Sequence, residues 1–382
     1  MIRVLGMMSG TSMDGVDAAM IETDGVRIAG FGRSAFCAYS DNESAVLHAA
    51  LGRWPGEPGV EDAATISVQS HAAMASGFPE AQLIGYHGQT LAHDPQGRGT
   101  HQAGDGAWLA RQADRPVVWD FRSEDVRCGG EGAPLAPFFH WACAHWAVGQ
   151  GLLPAQPVAF LNLGGVGNIT WVDPQAPAPE TPGACLAFDT GPANAPLNDL
   201  MRRRLRQSHD RDGRLAASGT ADMDIVARFL RHPFFDRQPP KSLDRDQFAD
   251  LGPAVDPLPD ADAAATLVAA LAGSVAAGFR WLPQIPATVL VCGGGRRNPA
   301  IMARLAWDLP CDVQPVEAAG LDGDMLEAQA FGWLAARVMR GLPTSGPSTT
   351  AVPDPCCGGG SVIRGGGANY FRRALDGGDR SA

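Results

Sequence analysis

Two similar segments, one opening each half of this 382-residue chain, constrain its fold more than any other feature. In the first, the apolar runs 2–7 and 16–21 flank a turn rich in glycine and hydroxyl groups. In the second, the runs 158–163 and 169–172 flank the glycine turn 164–168. Each pattern predicts a strand, a turn and a return strand. Because the segment recurs after about 155 residues, it indicates two related halves of α/β type.

The first turn carries groups suited to phosphate. Backbone N–H groups in a tight turn form a concavity that binds anions, and Gly10 and Gly15 permit close approach. Asp14 and Asp17 would repel phosphate but suit Mg²⁺ or its waters, and Asp14 is the predicted metal contact. An ordinary hairpin loop could carry the same residues, so both interpretations stay open. The candidate phosphate contacts here are Ser9, Gly10, Thr11, Ser12, Met13, Asp14, Gly15, Val16 and Asp17.

Charge and lysine usage exclude several function classes. The net charge of −11 argues against nucleic acid as the main partner. Lys241 is the only lysine, and it follows two prolines rather than a glycine loop or a third strand. A Walker-A loop and a protein kinase each need a lysine in such a place. ATP would therefore bind through a different fold.

Length and cysteine spacing predict a two-domain cytoplasmic protein. The expected domains are residues 1–137 and 138–341, with 342–363 a terminal segment able to pack back and 364–382 a disordered tail. No uninterrupted apolar run reaches the roughly 20 residues of a membrane span, and no signal peptide is recognised. The eight cysteines form neither a C-x-x-C pair nor a disulfide framework.

Further motifs make a family resemblance definite. A third glycine turn, Gly293–Gly295, follows the apolar strand 288–292 and could lie flat beneath a purine. The whole order resembles the actin, sugar-kinase and heat-shock-chaperone superfamily, and within it the anhydro-N-acetylmuramic acid kinase family. The matching motifs are GMMSGTSMDGVD at 6–17, GYHGQT at 85–90, DFR at 120–122, GEGAPL at 130–135, NLGG at 162–165, NIT at 168–170, FDTGP at 188–192, Asn194, PPKS at 239–242, CGGG at 292–295, Asn298, Asp324 and EA at 327–328. Ala193, Leu243, Asp244 and Ala351 depart from the family's pattern without removing a candidate catalytic carboxylate.

The resemblance implies an actin-like, two-domain ATPase (sugar-kinase) fold with a central cleft between the domains. It implies an ATP- and Mg²⁺-dependent, cytoplasmic, homodimeric kinase of peptidoglycan recycling and amino-sugar catabolism. Such an enzyme opens 1,6-anhydro-N-acetylmuramic acid with water and phosphorylates O6. The nucleotide contacts implied in the second half are Gly164, Gly165, Asn168, Gly293, Gly294 and Gly295.

Two carboxylates are the candidate catalytic residues. Asp189 ends a buried strand beside a glycine, where a general base could control water, although a turn or helix-cap aspartate would look alike. Glu327 lies three residues after Asp324, so both could project from one helix face, and the resemblance brings Glu327 to the sugar. A solvated helix face remains the alternative for Glu327.

The candidate sugar contacts are His87, Gln89, Thr90 and Arg122. The first three form a polar cluster after a strand and suit hydroxyl or N-acetyl groups, although a histidine is often structural. Arg122 could pair with the lactyl carboxylate in bidentate fashion, or form a structural salt bridge. His93, His101 and His140 lack metal-ligand spacing.

Two rival functions remain at this point. A non-catalytic ATP- and sugar-binding sensor of the same superfamily would not need Asp14, Asp189 and Glu327 together. A hydrolase without phosphoryl transfer would leave the two phosphate-type turns unexplained.

Overall fold

The computed structural model describes residues 1–10, 12–243 and 245–362, which form two compact units. Unit 1 contains Met1–Trp146, Ala178–Glu180 and the described residues from Met325 onward. Unit 2 contains Ala147–Pro177 and Thr181–Asp324. The predictions made for Thr11 and for the tail 364–382 lie outside the described residues.

The described strands and helices alternate along the chain. The strands are β1 (Ile2–Ser9), β2 (Gly15–Thr23), β3 (Ile28–Ala38), β4 (Leu83–Asp94), β5 (Gly99–Ala103), β6 (Val117–Trp119), β7 (Val158–Leu163), β8 (Val166–Val172), β9 (Cys185–Pro192), β10 (Thr288–Cys292), β11 (Asp312–Pro315) and β12 (Gly360–Val362). The α-helices are α1 (Asp41–Ala49), α2 (Val60–Ser76), α3 (Gly106–Ala113), α4 (Ser123–Arg127), α5 (Ala136–Gly149), α6 (Asn194–Leu200), α7 (Arg214–Ser218), α8 (Met223–Phe229), α9 (Leu251–Ala254), α10 (Asp260–Gly278), α11 (Pro299–Asp308), α12 (Leu326–Arg340) and α13 (Pro347–Thr350).

The two sheets share one topology. In unit 1 the order is β12-β6-β4-β1-β2-β3, with β5 paired to β4, and in unit 2 it is β11-β10-β7-β8-β9. Each sheet has three consecutive antiparallel strands, and the next two pair in parallel beside the first. The expected α/β class and the two related halves are therefore confirmed.

Helix starts follow from capping chemistry visible in the sequence. Ser40 and Glu43 form a reciprocal capping box at α1. At α11 the Asn298 side chain accepts from the Ala300 and Ile301 amides, and Pro299 occupies the first turn. These caps fix where the two helices begin.

The polar cluster 87–90 lies within a strand, whereas the sequence predicts that it follows one. Strand β4 runs from Leu83 to Asp94 because its second part pairs with β5. Strand β6 ends at Trp119, and the next residue, Asp120, has a φ of 55°. A short helix, α4, follows.

The unit boundaries also differ from the expected domain boundaries at 137 and 341. Helix α12 belongs to unit 1 because it packs on β1, β2 and β4. After α12, strand β12 pairs antiparallel with β6.

One helical segment among the described residues, Asp260–Trp281, is long and apolar enough to cross a bilayer by composition. About two thirds of its most apolar window is buried inside the protein (67%). Its side chains contribute to the core of unit 2, as expected for a core helix.

Candidate active site

Four residues form one row across the sheet of unit 2. Asp189 of β9 pairs with Asn168 of β8, which pairs with Asn162 of β7, which pairs with Cys292 of β10. Adjacent strands are about 4.8 Å apart, so the row spans about 15 Å. It places Asp189 and Asn168 side by side, and brings the turns after β7 and β10 to the same edge.

Backbone groups of residues 241–243 hold Asp189 in place. The Asp189 N–H donates to the Lys241 carbonyl at 3.0 Å, and the Leu243 N–H donates to Asp189 Oδ2 at 2.8 Å. Burial raises the pKa of Asp189 to about 6, while the Leu243 N–H and the Lys241 charge lower it. Helix α6 begins later and has Ala193 at its N-cap position, so Asp189 is not a helix cap. A half-buried carboxylate with this pKa can accept a proton near neutral pH.

The glycine turn Gly164–Gly165 is open on one side. Its carbonyls accept the Ala193 and Asn194 amides at 3.0 and 2.9 Å, which joins the turn to the start of α6. A Cβ placed on Gly164 would meet only the Val166 carbonyl oxygen, at 3.8 Å. The turn therefore has room for a ligand oxygen close to its backbone.

The third glycine turn packs directly on the end of β7. A Cβ on Gly293 would lie 2.9 Å from the Leu163 carbonyl carbon, and one on Gly295 would lie 2.6 Å from Leu163 Cβ. Gly293 also has a φ of 71°, which favours glycine. Gly294 is more open, because its Cβ would meet only Asn194 Nδ2 at 3.7 Å. The structure thus brings all the residues that were predicted as nucleotide contacts in the second half to one edge of unit 2.

In unit 1, the turn after β1 is built from its own polar groups. The Met13 N–H donates to the Gly10 carbonyl at 3.2 Å, and Ser12 Oγ donates to Asp14 Oδ1 at 2.8 Å. Ser12 and Asp14 are exposed, whereas Met13 and Val16 are buried. Asp17 lies in β2, opposite Met8 and Phe36. Met13 and Val16 could therefore offer a ligand only backbone atoms.

Gln89 supports this turn from inside. Ser9 Oγ donates to Gln89 Oε1 at 2.6 Å, and Gln89 Nε2 donates to the Gly10 carbonyl at 3.1 Å. Tyr39 donates to Ser9 Oγ at 3.1 Å. Gln89 and Ser9 are buried, whereas Thr90 is half-buried and accepts a long bond from Gln102 Nε2 (3.4 Å). Of these predicted contacts, Thr90 is the more accessible.

Arg122, His87 and Glu327 form a second polar group in unit 1. Arg122 Nε donates to His87 Nε2 at 3.0 Å, and Arg122 Nη1 donates to the Gly132 carbonyl at 2.9 Å. Burial lowers the pKa of Arg122 to about 10, opposed by Glu327 and Asp125. Burial, and then the Arg122 charge, holds the pKa of His87 well below its usual value, so the imidazole is neutral.

The Glu327 carboxyl reaches this group from α12. Water reaches its side chain, yet the protein around the carboxyl raises the pKa of Glu327 and Arg122 lowers it. The Glu327 side chain therefore lies in a recess that is open to water on one side. Helix α12 can approach so closely because β1 and β4 present Gly6 and Gly85 to it, where any side chain would collide with the helix backbone. The same helix stacks Phe331 against His87, with ring centroids 4.4 Å apart.

Asp324 does not share a helix face with Glu327, contrary to the sequence prediction. Helix α12 begins at Leu326, after Asp324. The Asp324 carboxylate instead pairs with Arg296 at 3.0 Å and with Arg297.

Asp125 was missed by the sequence reasoning. Its side chain is buried and accepts from the Gly132 N–H at 2.6 Å, from Thr350 Oγ1 at 2.7 Å and from Ser345 Oγ. Asp125 thereby fixes the loop whose carbonyl receives Arg122. Asp125 lies between two of the matching motifs, but its hydroxyl partners Ser345 and Thr350 lie more than 200 residues away in the sequence.

Comparison with known proteins decides the family. The family model described as anhydro-N-acetylmuramic acid kinase matches residues 2–363. The chain belongs to the anhydro-N-acetylmuramic acid kinase family. The expected enzyme class, a carbohydrate kinase, is confirmed, and the sensor alternative is not favoured.

Relatives in the anhydro-N-acetylmuramic acid kinase family match over nearly their whole length. The protein of that name from Cereibacter sphaeroides is 63% identical over 363 residues, covering 95% of this chain and 96% of the relative. The one from Roseobacter denitrificans is 58% identical, covering 94% and 93%. Among solved structures, a ROK family glucokinase from Streptomyces griseus in complex with glucose and AMPPNP aligns with a TM-score of 0.40 and 12% identity, covering 88% of this chain and 99% of that one.

Proposed function

We propose that the chain opens the 1,6-anhydro bridge of anhydro-N-acetylmuramic acid with water and phosphorylates O6, giving N-acetylmuramic acid 6-phosphate for cell-wall recycling. The observation that carries the proposal is Asp189, a carboxylate with a raised pKa that is oriented by a backbone N–H. Its protonation state suits a general base at neutral pH.

One base can serve both halves of the reaction. Asp189 takes a proton from the attacking water, the water oxygen bonds to C1, and the C1–O6 bond breaks. The departing O6 attacks the γ-phosphorus of ATP, and the bond from that phosphorus to the ADP oxygen breaks. The oxygen that leaves carbon thus becomes the phosphoryl acceptor, and the proton on Asp189 returns to solvent.

The glycine turns are the proposed phosphate and adenosine contacts. The open backbone at Gly164 supports this role, because a phosphate oxygen needs space beside the amides. Gly10, Ser12 and Asp14 are the proposed phosphate contacts in unit 1. Gly293–Gly295 would lie beneath the purine.

Mg²⁺ would be held mainly by ATP and water. Within the described ranges, no group of three or more His, Cys, Asp or Glu side chains could hold a metal. Asp14 is exposed, so it can contact the ion or its waters. Mg²⁺ would neutralise charge on the transferring phosphoryl group.

The sugar would bind near Arg122 and Glu327. We infer that Arg122 pairs with the lactyl carboxylate and that Thr90 and Glu327 contact hydroxyl groups. The bonds of Gln89 and His87 to other protein groups favour a supporting role for both. We also propose a cytoplasmic homodimer, on the family resemblance, and light scattering would measure its mass.

Mass spectrometry in ¹⁸O-water tests the proposed reaction. With ATP and the anhydro sugar, one solvent oxygen should appear at C1 of a phosphorylated product, and none in the transferred phosphate. Labelled inorganic phosphate without sugar phosphate would show ATP hydrolysis instead. Labelled sugar without phosphate would show a hydrolase.

A further inference from the structure

Lys241, the only lysine of the chain, is anchored inside unit 2. Its residue surface is 6% exposed, and its ammonium donates to the Phe234 carbonyl at 3.1 Å. The Nζ atom lies 4.5 Å from the centroid of the Phe234 ring and 5.8 Å from that of Phe188. Phe188 directly precedes Asp189 in β9, so the amine lies beside the strand that carries the candidate base.

The backbone of residues 241–243 forms two hydrogen bonds with Asp189. The Lys241 carbonyl accepts from the Asp189 N–H, and the Leu243 N–H donates to Asp189 Oδ2. An anchored ammonium therefore fixes the segment that orients the carboxylate. Such a burial is costly for a lysine, since desolvation lowers the pKa of Lys241 to about 8.

We propose that Lys241 is a positioning residue for Asp189, because its buried ammonium anchors residues 241–243 against β9 and brings a positive charge near the Asp189 carboxylate. The inference rests on the proposed function, in which Asp189 acts as the base. It adds a role for the one lysine, which the kinase chemistry leaves unassigned.

The charged groups around Lys241 allow a prediction with a definite sign. Arg280 and Arg237 lower the pKa of Lys241, and Asp236 and Asp189 raise it. The positive Lys241 in turn lowers the pKa of Asp189, so removing the charge raises that pKa. A base works only when deprotonated, so the acid limb of kcat/KM should move to higher pH. Between pH 5 and 7 Lys241 stays charged, because its pKa is about 8.

The experiment compares three substitutions at Lys241 in the full chain, using the pH dependence of sugar phosphate formation. Lys241→Met removes the donor and the charge, Lys241→Gln keeps a donor without charge, and Lys241→Arg keeps the charge. Met and Gln variants should shift the acid limb upward by about 1 pH unit. The Arg variant should keep the limb near its original position.

Arg280→Met is the matched control. Arg280 is a neighbouring cation that pairs with Asp236 at 2.8 Å, and among the described residues it forms no hydrogen bond with the segment 241–243. Its charge lowers the pKa of Lys241, so its removal leaves Lys241 protonated. The acid limb of kcat/KM of the Arg280→Met variant should therefore stay in place.

The outcomes separate this inference from the proposed function. An equal loss of activity at every pH in the Met and Gln variants, or no loss, would overturn the positioning role. If the Lys241→Met variant does not fold, the position of the acid limb in Lys241→Gln compared with Lys241→Arg decides the question. A parent protein that forms no sugar phosphate would instead overturn the proposed function.

Discussion

Adding a methyl group at Gly6 should displace the helix that carries Glu327. A Cβ on Gly6 would collide with the Ala328 carbonyl oxygen, and would lie 2.5 Å from Gly332 N and 2.8 Å from the Ala328 carbonyl carbon. Ordinary contact begins near 3.4 Å, so α12 must withdraw by about 1 Å or more. Overpacking of this kind costs about 3 kcal/mol, and a misplacement of about 1 Å can lower turnover about 10²-fold.

Calorimetry and steady-state kinetics of Gly6→Ala would measure both effects. The melting temperature should fall by about 5–10 °C, as expected from 3 kcal/mol in a unit of this size. Gly30→Ala is the matched control, because Gly30 lies in β3 of the same sheet and a Cβ there meets nothing within 4 Å. A Gly6→Ala protein with native melting temperature and native kcat would refute the close packing of α12 as the device that places Glu327.

Two further predictions concern the phosphate turn and a buried histidine. Gly164→Ala should leave the melting temperature unchanged, because there is space for Cβ. Since the methyl group would occupy space beside the backbone amides, calorimetric titration should show ATP binding weakened about tenfold. An unchanged affinity would remove this turn from the nucleotide site. Burial lowers the pKa of His71 from its usual 6.5 to about 4. Between these pH values the unfolded chain binds more protons than the folded one, so the free energy of unfolding should fall as the pH drops from 6.5 to 4. Urea unfolding at several pH values should show this slope, reduced in His71→Leu, and an equal slope in both proteins would contradict it.

Features set by local chemistry were predictable from the sequence. The strand–turn–strand pattern located β1 with β2 and β7 with β8, and the glycines marked the turns between them. The helix starts at Ser40 and Asn298 are also local features, because a cap acts within three residues.

Features set by distant partners were not predictable. Gln89 lies in a recognisable polar motif, but its side chain direction is set by Ser9, 80 residues away. Asp189 receives the Leu243 N–H from 54 residues away, across a segment without regular pattern. The spacing of Asp324 and Glu327 suggested one helix face, yet the arginines at 296 and 297 hold Asp324 before the helix begins. Pairings of this kind depend on the tertiary fold.

The most direct test of Asp189 as the base is product formation by Asp189→Asn, which keeps the shape and removes the proton acceptor. Sugar phosphate formation should fall by about 10²–10⁴-fold or more, because ring opening also generates the nucleophile. ATP affinity should stay close to native, and Asp308→Asn, a substitution in the Arg304 ion pair on α11, should keep full activity. Near-native turnover by Asp189→Asn would contradict the account and make Glu327 the next candidate base.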